Sequence, residues 1–193
     1  GVRLAELAFV RFCQRAFREA QGSKDTTPIW IGGFTMFAKI LFPTDFSDVS
    51  KKAFNYVKRL QPAGTKQIIV LRVINERKIE CICQGAAWCG VEAAEFERQA
   101  YQNLSEEAKK ELKPIESELK AAGFDVRVMV TKGVPQTKIL EVAEEEGVSS
   151  IVLGSHGRGN LSTALLGSVS GYVIQHSKIP VVVIKRDSIE DVD

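Results

Sequence analysis

An apolar segment, a glycine-rich loop and a helix-like segment follow one another in residues 150–176, which read SIVLGSHGRGNLSTALLGSVSGYVIQH. Residues 150–153 have the length and character of a buried strand, and residues 168–176 predict a short helix. The glycines between them tolerate positive φ, and they have no side chain to keep an anion away from the backbone amides. This junction predicts an α/β fold with a ligand site at the carboxyl end of the strand.

Strands and helices alternate along the rest of the chain from Met36 onward. The other predicted strands cover residues 37–42, 67–74, 124–130 and 181–184, and the other helices residues 48–60, 91–122 and 135–146. A loop rich in Cys and Gly is expected before the long helix, which Pro114 should kink or break. Residues 124–130 alternate apolar with wetter positions, as an edge strand does. The order predicts a parallel sheet with helices on both faces.

Composition excludes several classes of partner. The chain has 193 residues, 45% of them hydrophobic, with 26 Lys and Arg against 24 Asp and Glu. Residues 1–35 contain five of the basic and three of the acidic residues, so the remainder balances at 21 of each. A neutral domain without an apolar run of membrane-spanning length predicts no nucleic-acid and no membrane partner. The four cysteines are too few for a disulfide framework, so we expect a cytoplasmic protein.

The first 35 residues differ from the rest of the chain. They carry an arginine-rich, helix-like segment followed by Gly and Pro residues that interrupt any regular pattern. We therefore expect residues 1–35 to be an extension outside the core domain, residues 36–193 to be that domain, and Met36 to be the natural start. An arginine-rich targeting helix is the alternative interpretation of the extension, against which its acidic residues count.

Three common motifs are absent from the glycine-rich loop. A phosphate-binding P-loop would need Lys where Asn160 stands, and the dinucleotide fingerprint would need Gly in place of Ser162. An esterase nucleophile elbow would need Ser where Val169 stands. The loop therefore needs another interpretation.

The spacing G-x2-G-x9-G-(S/T) is matched by Gly154, Gly157, Gly167 and Ser168. With this spacing, residues 36–186 resemble the nucleotide-binding branch of the universal stress protein family. The segment Phe42-Pro43-Thr44-Asp45-Phe46-Ser47 after the first strand, Arg72-Val73-Ile74-Asn75 at the end of the second, and residues 178–186 also fit this family.

The resemblance implies an open five-stranded parallel sheet of order 3-2-1-4-5, like that of the adenine nucleotide alpha hydrolases, with ATP across the ends of strands 1 and 4. Pro43, Thr44, Asp45 and Val73 would surround adenine and ribose, and Leu153 and Gly154 would line the floor. The residues implied to hold ribose and phosphates are Ser155, His156, Gly157, Arg158, Gly167, Ser168, Val169 and Ser170. A divalent metal, Mg²⁺ or Mn²⁺, would be held mainly by the phosphates.

The family also implies a homodimer through the last strand, which residues 180–184 could provide. The leading hypothesis is an ATP-binding switch or sensor that is recognised by an unknown protein partner. A switch is preferred over an enzyme because the sequence supplies no strong catalytic base near the γ-phosphate. A slow ATP hydrolase and a nucleotide-independent, stress-induced dimer are the alternatives. The bland interpretations are that Asp45 caps a turn and that Arg158 is solvated.

Three cysteines, Cys81, Cys83 and Cys89, resemble part of a metal or redox site. A tetrahedral zinc site needs a fourth ligand that this stretch lacks, although Cys13 or a dimer mate could complete it. The other interpretation is that they are ordinary residues of a variable loop.

Overall fold

The computed structural model describes residues 30–31, 34–86, 93–157 and 166–185. Five strands form one parallel sheet: β1 (Lys39–Pro43), β2 (Gln67–Asn75), β3 (Asp125–Gly133), β4 (Ser150–Gly154) and β5 (Val181–Ile184). Their order in the sheet is β3-β2-β1-β4-β5, which confirms the predicted order 3-2-1-4-5. Two-residue strands at Trp30–Ile31 and Phe34–Thr35 pair antiparallel ahead of the sheet, where no regular structure was expected.

Among the described residues, five helices lie between the strands: α1 (Asp48–Val57), α2 (Glu76–Ala86), α3 (Ala93–Ala121), α4 (Pro135–Glu145) and α5 (Ser168–His176). A short 3₁₀ turn at Gln61–Ala63 follows α1. Helices α1 and α3 pack on one face of the sheet, and α4 and α5 pack on the other. The prediction of helices on both faces is confirmed. None of the helices described is long and apolar enough to cross a membrane.

Successive residues of each central strand feed two separate cores, because side chains alternate across a sheet. In β1, Ile40 and Phe42 pack with α1 and α3, whereas Leu41 packs with α4 and α5. All three side chains are fully buried. A strand buried on both faces is largely apolar, which is why β1 and β4 read as continuous hydrophobic runs and β2 as a run interrupted by Arg72.

The predicted loop between β2 and the long helix is wrong, because the structure places α2 there. Asn75 accepts a hydrogen bond at Oδ1 from the backbone amide of Arg77 (3.1 Å), which caps the start of the helix. Ile79 is 1% exposed and anchors the helix to the domain. The cysteines and glycine in this stretch concealed a short helix that has one strongly buried apolar residue.

The other departures from prediction are small. Helix α3 runs without a break through Pro114, and Gly123, with φ +89°, follows its end as expected. Strand β1 begins two residues later than predicted, since Met36 and Phe37 are buried in a turn. Helix α1 ends at Val57, three residues before the expected end. Strand β3 lies at an edge of the sheet, as its alternation predicts.

Candidate functional site

A cleft of about 510 Å³ opens at the carboxyl ends of the strands, where β1 separates from β4. At this point the chain connections leave the sheet in opposite directions, so the loops diverge and leave space for a ligand. The volume lies within the range of ordinary small-molecule sites, roughly 300–1,000 Å³. The described residues therefore form a cavity at the junction singled out from the sequence.

Most of the predicted site residues line this cleft. Those that do are Pro43, Thr44, Asp45, Val73, Leu153, Gly154, His156, Gly157, Gly167, Ser168, Val169 and Ser170. Arg158 lies outside the described residues. Ser155 is 1% exposed and stands behind the cleft, with its Oγ 2.9 Å from Nδ1 of His156. Its expected role in holding the ribose and phosphates stays a prediction.

Ser155 joins three elements beneath the cleft through its backbone. Its amide donates to the carbonyl of Ile184 in β5 (2.8 Å), and its carbonyl accepts from the amide of Gly167 (2.7 Å). The same carbonyl accepts from the buried hydroxyl of Ser170 (2.6 Å). These bonds fix the start of α5 against the end of β4.

The first turn of α5 faces the cleft with its amides. Gly167 is the N-cap residue, with φ −71° and ψ 164°, and Ser168, Val169 and Ser170 form the first turn. Amides in the first turn of a helix have no acceptor within the helix, and the helix dipole adds partial positive charge there. This arrangement can bind an anionic group such as a phosphate.

The loop glycines are required for space and not for positive φ. None of Gly154, Gly157 and Gly167 is among the described glycines with positive φ, which corrects one of the two reasons inferred from the sequence. A Cβ on Gly157 would lie 2.8 Å from Oδ2 of Asp45, and one on Gly167 would lie 3.3 Å from the Cα of His156. Glycine at these positions lets the two loops approach each other.

Hydroxyl groups order the turn between β1 and α1. The amide of Ser47 donates to Oδ1 of Asp45 (3.0 Å), and Ser47 in turn caps α1 by accepting from the amide of Ser50. The hydroxyls of Thr44 and Ser50 lie 2.8 Å apart and are buried. The carboxylate of Asp45 is therefore held at the cleft by a bonded turn, and it also caps that turn, as the bland interpretation holds.

Phe46 adopts an unusual backbone conformation in the same turn. Its φ is +62°, the left-handed region, where a residue with a Cβ is disfavoured by roughly 1–2 kcal/mol. The guanidinium carbon of Arg72 lies 5.0 Å from the centre of the Phe46 ring, and Nη1 of Arg72 donates to the carbonyl of Thr44 (3.3 Å). Strained residues of this kind concentrate at functional sites.

Sequence reasoning missed one wall of the cleft, which α2 and α3 build. Its residues include Lys78 from α2 and Leu104, Glu107, Ala108 and Glu111 from α3. Because α2 was expected to be a loop, nothing in the sequence indicated that α2 and α3 would together form a wall of the cleft. In the sequence, Arg72 was considered only as part of the segment 72–75 that fits the family. A charged residue inside an otherwise apolar strand is itself a sign of a functional or structural role.

The cysteine cluster is not assembled by the described part of the chain. Cys81 is exposed and Cys83 half-buried on α2, and residues two apart on a helix do not face each other. Cys13 and Cys89 lie outside the described residues. Among the described His, Cys, Asp and Glu residues, no group of three or more could hold a metal ion.

Comparison with known proteins identifies the family. The sequence model of the universal stress protein family matches residues 36–185. The chain belongs to the universal stress protein family. Universal stress protein MJ0577 of Methanocaldococcus jannaschii is 40% identical over 78% of this chain and 96% of its own length. Its solved structure superposes with a TM-score of 0.70 at 40% identity, over 79% of this chain and 99% of that one.

Two further relatives of this universal stress protein align with it over nearly the whole of their own length. Universal stress protein YxiE of Bacillus subtilis is 32% identical over 78% of this chain and 100% of its own. A universal stress protein solved in complex with cAMP is 22% identical, has a TM-score of 0.53 and aligns over 77% of this chain and 97% of its own. This last likeness shows the shared fold.

Proposed function

We propose that the chain is an ATP-binding universal stress protein that acts as a nucleotide-dependent switch or sensor in the stress response. The observation that carries the proposal is the convergence of the α5 amino terminus with Gly157 and Gly167 on one cleft. The amides supply the positive end for a phosphate tail, and the missing Cβ atoms leave it room.

The apolar part of the cleft suits a base. Val73 and Leu153 line it and belong to the core beneath α4 and α5, so their positions are fixed by packing. Pro43 and Asp45 lie opposite at the end of β1, where the carboxylate can accept hydrogen bonds from ribose hydroxyls. A relative with this fold binds cAMP, so the fold itself can accommodate an adenine nucleotide.

A divalent ion, Mg²⁺ or Mn²⁺, would accompany the nucleotide and be held mainly by phosphate oxygens. Asp45 is the carboxylate at the β1 end of the cleft, while Glu107 and Glu111 stand on α3 across it. A magnesium ion bound by one or two carboxylates plus substrate phosphates is the usual arrangement in nucleotide sites. When bound, the ion would neutralise part of the charge of the triphosphate.

The proposal extends to assembly and location. We propose a homodimer through Pro180 and β5, a cytoplasmic protein, and a core domain over residues 36–193 with residues 1–35 outside it. The four residues of β5 are apolar and half-buried, and a second strand would bury them further. Nucleotide occupancy at the α5 amino terminus would be read at this surface by a protein partner.

Replacing Ser168 by proline tests the anion site with little change to the helix. Ser168 is the first residue of α5, a position where proline is favoured, and the extended Gly167 before it is compatible with a following proline. Ser168→Pro removes the amide and the hydroxyl, whereas Ser168→Ala removes the hydroxyl alone. We expect ATP binding to weaken about ten- to hundredfold in Ser168→Pro beyond any loss in Ser168→Ala.

Binding is measured by calorimetry with Mg-ATP, together with mass analysis of nucleotide released from the purified protein and an assay of phosphate release. Equal affinities for the two Ser168 variants would contradict the anion site. No nucleotide binding by the parent would support the nucleotide-independent alternative. Phosphate release that disappears in Gly157→Val would support slow ATP hydrolysis.

A further inference from the structure

Phe46 and Arg72 have a role at the cleft that neither the family motif nor the proposed contacts assign. Phe46 carries an aromatic side chain in the left-handed backbone region, immediately after Asp45. Its ring is half-buried and packs against the core beneath α1 and α3, and the guanidinium of Arg72 lies over it. The surrounding structure therefore maintains a conformation that the residue itself disfavours.

The left-handed residue controls the direction of Asp45. The Phe46 amide donates to Oγ1 of Thr44 (3.2 Å), and the next amide, that of Ser47, donates to Oδ1 of Asp45 (3.0 Å). This second bond places Oδ2 beside Gly157, where a Cβ would be only 2.8 Å away. A change of φ at Phe46 would move the Ser47 amide and release the carboxylate from this position.

Arg72 holds the turn from the neighbouring strand. It half-buries its side chain at the end of β2, donates through Nη1 to the carbonyl of Thr44 (3.3 Å) and covers the Phe46 ring at 5.0 Å. The residues on both sides of Asp45 are thus fixed by one guanidinium. Arginine suits this task because its planar group can stack on a ring and donate at its edge simultaneously.

We propose that Phe46 and Arg72 are positioning residues that hold the Asp45 carboxylate at the cleft, where it favours a nucleotide that carries a ribose hydroxyl within its reach over the matching deoxynucleotide. This proposal rests on the proposed nucleotide site. A carboxylate only accepts hydrogen bonds, so it favours a hydroxyl over hydrogen at the ribose. The selectivity should therefore depend on residues that do not touch the sugar.

The test compares ATP with 2′-deoxy-ATP and 3′-deoxy-ATP by calorimetry. We expect the parent to prefer ATP over at least one deoxynucleotide by about ten- to hundredfold, the effect of a hydrogen bond to a charged acceptor. In Phe46→Ala, which removes the ring but keeps the Cβ that disfavours positive φ, and in Arg72→Gln, this ratio should fall to within about threefold of unity. Phe46→Tyr keeps the ring and should therefore keep the parent's ratio. A ratio that fell with every substitution at position 46 would instead indicate a general loss of stability.

A control and a ligand-free measurement separate positioning from folding. Lys58 lies 4.7 Å from the centre of the Phe54 ring, a contact of the same kind away from the cleft, so Lys58→Gln should leave the ratio unchanged. Without nucleotide, hydrogen exchange at the Ser47 amide should accelerate at least roughly tenfold in Phe46→Ala and in Arg72→Gln, since its acceptor is released.

The outcomes distinguish this proposal from the nucleotide site itself. If the parent binds ATP but both variants keep its selectivity and its Ser47 protection, Phe46 and Arg72 are not positioning residues. If the parent binds all three nucleotides equally, Asp45 does not select the ribose. If the parent binds none of them, the proposed function is wrong and ribose selection falls with it.

Discussion

Replacing Gly157 by alanine should weaken nucleotide binding far more than it weakens the fold. The new Cβ would lie 2.8 Å from Oδ2 of Asp45 and, in the part of the chain that the structure describes, meets no backbone atom within 4 Å outside its chain neighbours. The carboxylate can swing away, which breaks its capping bond to the Ser47 amide at a cost of about 1 kcal/mol, the typical contribution of a side-chain cap. Alanine also lowers the conformational entropy of the unfolded chain, which offsets about 0.4–1 kcal/mol of this cost. We therefore expect the free energy of unfolding to change by less than about 1 kcal/mol.

The effect on binding is larger because the displaced carboxylate no longer reaches the ribose. Loss of a hydrogen bond to a charged group is worth about 1.5–3 kcal/mol, so the dissociation constant for ATP should rise roughly ten- to hundredfold. At a ligand concentration a hundred times the parent's dissociation constant, ATP stabilises the parent by about 2.7 kcal/mol. A hundredfold weaker variant gains only about 0.4 kcal/mol. Thermal unfolding with and without Mg-ATP measures both quantities.

Two other glycines provide matched controls. A Cβ on Gly154 would lie 3.0 Å from Cγ1 of Val49, 3.2 Å from its carbonyl carbon and 3.3 Å from the amide nitrogen of Ser50, so backbone must move. We expect Gly154→Ala to destabilise the fold by about 1–3 kcal/mol. Gly171 lies within α5 with open space around it, and Gly171→Ala should stabilise by about 0.5–1 kcal/mol. The reasoning is refuted if Gly157→Ala retains the parent's ATP affinity, or if it loses as much stability as Gly154→Ala.

Three further predictions concern the fold. The hydroxyl of Ser150 is fully buried and has no hydrogen-bond partner among the described residues, so Ser150→Ala should be neutral or stabilise by up to about 1 kcal/mol in urea denaturation. Pro114 stands inside α3, and Pro114→Ala should stabilise by up to about 3 kcal/mol, seen as a higher denaturation midpoint; a lower midpoint would contradict this. A hydrogen bond from Lys109 lowers the pKa of Glu106 below 4.5, so the contribution of this pair is present above that pH and is lost as the pH falls through the lowered pKa. In an NMR titration, Lys109→Gln should return the Glu106 midpoint towards 4.5, and an unchanged midpoint would exclude the pairing.

The sheet and its two-sided covering followed from the sequence because their signals are local. The apolar run of β5 and the segment of α5 begin and end where the pattern indicated. Helix α2 could not be recognised in the same way, since Ile79 is its one strongly buried apolar residue and most of its other described side chains are exposed. Because α2 was predicted to be a loop, the wall of the cleft that α2 and α3 form with Lys78 and Glu111 was not predicted either.

The glycine spacing predicted correctly which glycines line the cleft, but it did not predict why glycine is needed there. The glycine pattern placed Gly157 and Gly167 at the cleft, but their φ angles are ordinary and their small size admits Asp45 and His156. The left-handed φ belongs to Phe46, a residue whose type argues against it. This conformation is accompanied by contacts of Arg72 with the Phe46 ring and with the Thr44 carbonyl, and the residue type at position 46 gives no sign of those contacts.

The two margins of the sheet differ in what they offer to another polypeptide. At the β3 margin, Arg127 and Lys132 form ion pairs with Glu146 and Glu97, and charges of this kind discourage an incoming strand. The β5 margin has only valine and isoleucine. Two copies that met at β5 would leave a charged margin at either end of the enlarged sheet. Growth would then stop at the pair, so an assembly of this kind would not extend into open-ended fibres.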